Sequence, residues 1–391
     1  MKKKCYITIV NKDYFGYMEK LIKSHKLFSN IDFIIYTINF EVENFYSDKI
    51  TFKKYFDKNL WDYENSNSRD IIKNQYEKHK YTTLLKPLIL KESLLEEYDS
   101  YLFIDCDGLL TKNSDIFFNN IINGTDDLKC PISVKYFYQY STGHGTEEPV
   151  FNEDGSFNIK SAGYYPLIEL YNTEYHIIDY FTTYCVYYNK SSLDFINEVI
   201  DICFNPKVIS DYKKYLPMGD ETVFNYLYSK YNFDTCLASH LCYDICPFTS
   251  LADTLNNVEK TKNFVSFIHT KRYITDNPYG KDFSLLRDDE YEQIFNILLS
   301  KNTNETDITI HNVDKKDSHD TIYFSLNNEY EGNCYVKVVS LFRPFKEYVY
   351  SVNFSSKNIL FYIAKESDVW VRDTNLLIVQ NLIIKDSTKI F

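Results

Sequence analysis

The sequence predicts an α/β domain with buried parallel strands over residues 1–300, followed by an all-β sandwich over 308–391. Three observations predict it. Up to about residue 305, short apolar runs alternate with stripes of helical period. Beyond that point the segments are short and β-branched or aromatic, at the spacing of a sandwich. Between the two, Lys-Asn-Thr-Asn-Glu-Thr-Asp at 301–307 is polar throughout and marks a boundary.

Taken in order, Tyr6 to Val10 reads as a first strand, Tyr14 to Phe28 as a helix and Phe33 to Tyr36 as a second strand. Two helical segments follow. The second begins after Lys86-Pro87 and ends near Tyr98-Asp99, directly before the strand Tyr101 to Ile104. A helix is expected from near Ser114, and further helices over Leu193 to Cys203, through Val223, Phe224, Leu227, Tyr228 and Tyr231, and over Phe283 to Leu299. Residues 139–166, rich in Gly, Glu, Asn and Ser, read as an insertion of the kind that lies over a site. In the C-terminal part the expected strands include Thr321 to Leu326, Cys334 to Leu341, Glu347 to Phe354 and Leu376 to Ile384. Their aromatic residues suit core packing or a glycan surface equally.

Composition narrows the partners. The 43 Lys and Arg against 55 Asp and Glu leave a formal net charge of -12, with no dense basic block, which argues against a broad grip on nucleic acid. An acidic chain can still hold an anionic ligand through a divalent cation. No run reaches the roughly 18 apolar residues of a membrane span, and the start through Val10 is too short for a signal peptide. Nine cysteines lack a pairing framework, and Cys242 and Cys246 have no second matching pair, so reduced thiols and a cytoplasmic location are expected. The 37 Tyr and 29 Phe serve cores and sugar-facing clefts alike. Asn-x-Ser/Thr triplets at Asn123, Asn189, Asn304 and Asn353 are expected by chance in so Asn-rich a chain.

The most informative string is Leu102-Phe103-Ile104-Asp105-Cys106-Asp107-Gly108-Leu109. An apolar strand runs into carboxylates at i and i+2, which in extended chain share one face and can converge on one ion. Mg²⁺ and Mn²⁺ prefer such oxygen ligands and commonly share them with a substrate's phosphates. The carboxyl end of a buried strand is also where open α/β sheets bind ligands. The alternative is an acidic turn, with one Asp capping the helix near Ser114. Farther on, Pro217-Met218-Gly219-Asp220-Glu221-Thr222 opens a helix with two acids in its first turn, a place that helix capping and dipole also favour.

The order of helix, strand and Asp-x-Asp, with Lys86 just ahead of the helix, resembles the metal-dependent nucleotide-sugar glycosyltransferases of the GT-A fold over residues 5 to about 300. The likeness is to the family 8 type and related capsule and viral glycan enzymes. It implies a Rossmann-like nucleotide-sugar-binding domain that moves a sugar, a hexose, from a UDP-sugar to a glycan acceptor with Mn²⁺ or Mg²⁺. It further implies that Asp107 binds the metal and that Asp105 contacts the metal or the ribose. Thr8, Val10, Asn11 and Tyr14 would hold the nucleoside, while Lys86, Arg69 and Asp70 would reach the nucleotide. His269 would be a third metal ligand, and Lys271 would pair with the diphosphate. The family's His-Gly-x-x-Lys-Pro pattern is absent here. Asp220 and Glu221 would face the acceptor, one of them as general base in an inverting enzyme. For Lys86 and Arg69 the competing reading is solvated charge on a helix surface, and for His269 a plain strand-end histidine.

Two other function classes share these features. Haloacid dehalogenase-like phosphatases carry an Asp-x-Asp-Gly after an apolar strand, with the first Asp as nucleophile and the second as general acid. They follow the Gly with Thr, where Leu109 stands here, and place the motif in the first strand. A non-catalytic glycan-binding protein would instead work through its aromatic β-domain, which is also the candidate surface for homo-oligomer formation. His144 reads as a surface-loop residue.

Overall fold

The computed structural model describes residues 2–42, 47–65, 72, 75–122, 128–135, 158–176, 181–233, 242–244, 252, 254–255, 258–259, 262, 266–270 and 287–300, with the backbone of strands between 308 and 383. In chain order the first elements are β1 (Lys4–Val10), α1 (Phe15–Phe28), β2 (Asp32–Ile38), β3 (Ile50–Tyr55), α2 (Lys58–Asn65), α3 (Gln75–Ser93) and β4 (Ser100–Ile104). Next come β5 (Gly108–Leu110), α4 (Ser114–Ile122), β6 (Ile132–Lys135), α5 (Tyr165–Tyr171), β7 (Phe181–Asn189) and α6 (Leu193–Cys203). The short helices α7 (Pro206–Ile209) and α8 (Tyr212–Tyr215) lead to α9 (Asp220–Lys230), β8 (Cys242–Asp244), β9 (Phe267–His269) and α10 (Asp288–Leu299).

A central six-stranded sheet has the order β3-β2-β1-β4-β7-β6. β3, β2, β1 and β4 run parallel, as the apolar runs predict. β7 then lies antiparallel to β4, and β6 antiparallel to β7, so the expected parallel strands belong to a mixed sheet. The central strands are apolar on both faces because both are covered. Along β1, Cys5 and Ile7 join a core with Leu84, Ile89, Ile196 and Val199 from α3 and α6, while Tyr6 and Val10 join one with Leu21, Phe117 and Phe118 from α1 and α4. Each such fully buried side chain contributes about 1.5–3 kcal/mol. Beside this sheet, β5, β9 and β8 form a smaller one that returns the late chain to the end of β4.

Three expectations change here. β3 is a strand the periodicity does not announce, because Ile50, Phe52 and Lys54 alternate with polar or half-buried neighbours at the sheet edge. α3 begins before Lys86 and stops at Ser93, so Lys86 lies inside the helix, one residue before its internal Pro87, and not ahead of it. It is also buried, which removes the solvated-surface reading. The C-terminal strands β10 (Ile308–Lys315), β11 (His319–Leu326), β12 (Gly332–Ser340), β13 (Glu347–Phe354), β14 (Asn358–Ala364) and β15 (Leu377–Ile383) form two antiparallel sheets, β10-β11-β14 and β13-β12-β15. Among the described residues there is no disulfide, and no helix is long and apolar enough to cross a membrane.

His25 near the end of α1 gives this fold a pH dependence. The residue is 1% exposed, and its Nε2 donates to the Ile31 carbonyl at 2.7 Å, which requires a proton on that nitrogen. Burial holds its pKa below the ordinary 6.5, against the pull of the Ile31 carbonyl and of Asp115. Because the folded pKa lies below the unfolded one, the stability it contributes is complete above pH 6.5 and drains away as the pH falls below that value. Chemical denaturation of His25→Gln should therefore show a shallower loss of stability between about pH 7 and pH 5 than the unsubstituted chain.

Candidate metal and nucleotide site

Asp105 and Asp107 lie at the carboxyl end of β4, as expected, but extended-chain alternation is not what unites them. The chain leaves β4 through a tight turn, closed by Gly108 N–H donating to the Asp105 carbonyl at 2.9 Å, and enters β5. A Cβ on Gly108 would stand 2.8 Å from Ile104 Cγ2, so glycine lets the turn fold this tightly against its own strand. Asp105 N–H donates to the Tyr184 carbonyl at 2.8 Å, continuing the β4–β7 ladder by one residue. On the other side, Thr270 N–H donates to the Asp107 carbonyl at 3.0 Å, and the Thr270 hydroxyl reaches the same oxygen and also Tyr291.

Pairing of β5 with β9 sets His269 opposite Gly108. One ligand atom each from Asp105, Asp107 and His269 then lies within 4.8 Å of the others, and His269 Nε2 stands 3.4 Å from Asp107 Oδ1. Asp107 is 3% exposed. The imidazole is held flat against Tyr184, with ring centroids 4.7 Å apart and planes within 2°. Two carboxylates and one imidazole suit a divalent ion, and the nitrogen favours Mn²⁺ over the harder Mg²⁺. The residues present therefore fit the group that the sequence resemblance implies.

A cleft of about 100 Å³ opens beside this cluster, lined by Ile9, Asn11, Tyr14, Lys86, Asp105 and Asp107 among others. Asn11 shapes the exit of β1, its side chain accepting from Tyr14 N–H at 3.1 Å. The structure thus brings Asn11, Tyr14, Lys86, Asp105, Asp107 and His269 together. Thr8 and Val10 point the other way, buried on the opposite face of β1, and Ile9 takes the lining position. Ile38, Thr82, Thr83 and Cys106 complete the lining and were not anticipated. Thr82 and Thr83 precede Lys86 on α3 by four and three residues, the spacing that shares a helix face, so their signal was present. Arg69, Asp70, Lys271 and His144 lie outside the described residues, as does most of the 139–166 insertion.

Lys86 sits under the cleft with its protons engaged. Its Nζ donates to the Thr183 carbonyl at 2.9 Å, to Thr183 Oγ1 at 3.1 Å and to Asp105 Oδ1 at 3.1 Å, with Asp220 Oδ2 at 3.5 Å. Burial alone would lower its pKa, but Asp105 and Asp220 outweigh burial and hold it above the ordinary value. For Asp220 the balance is reversed. Burial pushes its carboxyl up despite Lys86 and the hydroxyl of Thr183, which donates to Oδ2 at 2.9 Å.

Asp220 and Glu221 begin α9 as expected, after Gly219 at φ 66 and ψ -135. That conformation belongs to glycine, and a Cβ there would stand 2.1 Å from Thr83 Oγ1. Gly219→Ala should lower stability by about 1–3 kcal/mol in denaturant unfolding, from backbone strain before the clash is counted. Asp220 is 2% exposed, Glu221 is half-buried and accepts from Thr183 N–H at 3.3 Å, and neither lines the cleft.

No protein-family model matches the chain, and no curated protein sequence matches it. Among solved structures it is similar to the apo form of WbbM, a bifunctional glycosyltransferase, at 14% identity and a TM-score of 0.42, over 76% of this chain. The chain spans 50% of the length of that structure. It is also similar to the apo form of mouse xyloside xylosyltransferase 1, at 8% identity and a TM-score of 0.41, over 68% of this chain and 97% of the other. Both neighbours are glycosyltransferases; likeness of this extent assigns no residue its role.

Proposed function

We propose that the chain is a divalent-metal-dependent glycosyltransferase that moves a sugar, a hexose, from a nucleotide sugar of the UDP type to a glycan acceptor. The observation that carries this reading is the convergence of Asp105, Asp107 and His269 within 4.8 Å, beside a cleft lined by Asn11 and Tyr14. A divalent ion, Mn²⁺ by preference, would offset the charge that gathers on a departing nucleoside diphosphate. Asp107 and His269 would hold it, and Asp105 would contact the ion or the ribose. Asn11 and Tyr14 position the nucleoside against Ile9 and Ile38. Lys86 orients Asp105 from below.

Of the two acids on α9, Glu221, the less buried, would meet a substrate hydroxyl, and Asp220 anchors Lys86. Holding that hydroxyl in line is the remaining contribution of the protein to the rate. In this reading residues 1–300 form the catalytic domain and 308–391 an accessory β-sandwich through which copies associate. The phosphatase alternative asks Asp105 to be a nucleophile, yet Asp105 Oδ1 is tied to Lys86. Its turn also follows the fourth strand of the chain, not the first.

The test incubates the purified full chain with a panel of nucleotide sugars and glycan acceptors, with Mn²⁺ and with chelator, alongside a generic phosphate ester. Mn²⁺-dependent release of nucleoside diphosphate is the expected result. Metal-dependent cleavage of the ester without any use of nucleotide sugar would replace this reading with the phosphatase one.

A further inference from the structure

We infer that Thr183 is a positioning residue of the site, a tie that holds Lys86 between Asp105 on the metal side and Asp220 on the acceptor side. The inference rests on the transferase reading for its purpose and on the hydrogen bonds alone for its geometry. β4 ends at Ile104 opposite Cys185, and Asp105 N–H still pairs with the Tyr184 carbonyl, so two steps beyond Cys185 the Thr183 backbone meets side chains where that ladder has stopped. Its N–H donates to Glu221 at 3.3 Å and its carbonyl accepts from Lys86 at 2.9 Å. Its hydroxyl does both jobs at once, accepting from Lys86 at 3.1 Å and donating to Asp220 Oδ2 at 2.9 Å.

One residue thus touches both acids of α9 and the lysine that reaches Asp105. The neighbouring residue, Tyr184, emerges on the opposite face of β7 and stacks on His269. The end of a single strand therefore addresses both halves of the site. Thr183 is 2% exposed, so no water can substitute for its hydroxyl without entering the core. Without that hydroxyl, Lys86 loses an acceptor and Asp220 loses a donor. Lys86 then moves toward Asp220, and Asp105 loses the partner that aims it at the ion.

The test compares Thr183→Val, which keeps the shape and removes the hydroxyl, with Thr183→Ser, which restores it. In the full-length protein, Mn²⁺ affinity measured calorimetrically with uridine diphosphate present should weaken by up to about tenfold in the valine variant, the lower end of what losing a group directly behind a metal ligand costs, since Thr183 acts through Lys86. Turnover should fall at least as far, and serine should recover both. Valine and serine variants that behave alike would overturn the tie, as would a valine variant with unchanged Mn²⁺ affinity. If the unsubstituted protein binds Mn²⁺ but transfers no sugar, the transferase reading fails while the Mn²⁺ comparison still judges Thr183. If it binds no Mn²⁺, the crystal structure of the valine variant decides. Lys86 Nζ still held between the Asp105 and Asp220 carboxylates would overturn the proposal, and its displacement from Asp105 would sustain it.

Discussion

Asp107→Asn is expected to abolish metal-dependent turnover while leaving the fold in place. The substitution is nearly isosteric at a position 3% exposed, and the backbone carbonyl that Thr270 holds is untouched. What disappears is one of the two negative charges that would make the cluster a cation site. Losing a group that stands behind a ligand already costs roughly 10- to 100-fold, so losing the ligand should cost at least about a hundredfold in turnover. Calorimetry with Mn²⁺ and uridine diphosphate should show the matching loss of binding, with a thermal midpoint within a few degrees of the parent. Full metal-dependent activity in the asparagine variant would remove Asp107 from the metal site.

Lys86→Met should have the largest effect on stability. The methionine keeps an apolar side chain where Lys86 Nζ lies 5.0 Å from the Phe103 ring centroid, but Asp220, with a side chain 3% exposed, loses the one cation that faces it among the described residues. Removing one partner of a buried ion pair typically costs about 3–5 kcal/mol, because the other charge stays behind. The penalty also carries a pH signature. With Lys86 gone, the main opposition to the burial that already raises the Asp220 pKa is lost and the Thr183 hydroxyl remains, so the folded state binds its proton more tightly still than the unfolded state does. Stability from a raised carboxyl is present at low pH and is lost as the pH climbs above the unfolded value. The variant should therefore lie closer to the parent near pH 4 than at pH 8 in denaturant titrations. A constant gap at all pH values would mean that the loss is one of packing.

Sequence reading was surest where one physical rule governs. β1, β2 and β4 are buried on both faces and show as unbroken apolar runs, and α6 spans Leu193–Cys203, the residues its periodicity marks. It was weakest where pairing across the sheet decides. β7 is buried except at half-buried Tyr184, yet its Thr and Tyr residues do not form an apolar run, and its antiparallel placement depends on partners far along the chain. The site divides in the same way. Asp105 and Asp107 are legible as a local pair, although a turn, not strand alternation, brings them together. Thr183 was invisible because its partners come from α3 and α9, and no spacing in the chain announces them. Lys86 was visible as a charge but not as a buried one, since only the fold supplies the carboxylates on either side of it.

The small sheet joining β5 to β9 sets an order of events for the growing chain. Both aspartates leave the ribosome some 160 residues before the histidine that faces them, and the threonine that secures their turn follows that histidine directly. An unfinished polypeptide ending short of residue 266 would carry the conspicuous Asp-Cys-Asp signature and yet grip nothing. Ion capture would accordingly come late, as a mark that the distant segment has docked, and chelation would loosen that segment before it disturbed the central sheet.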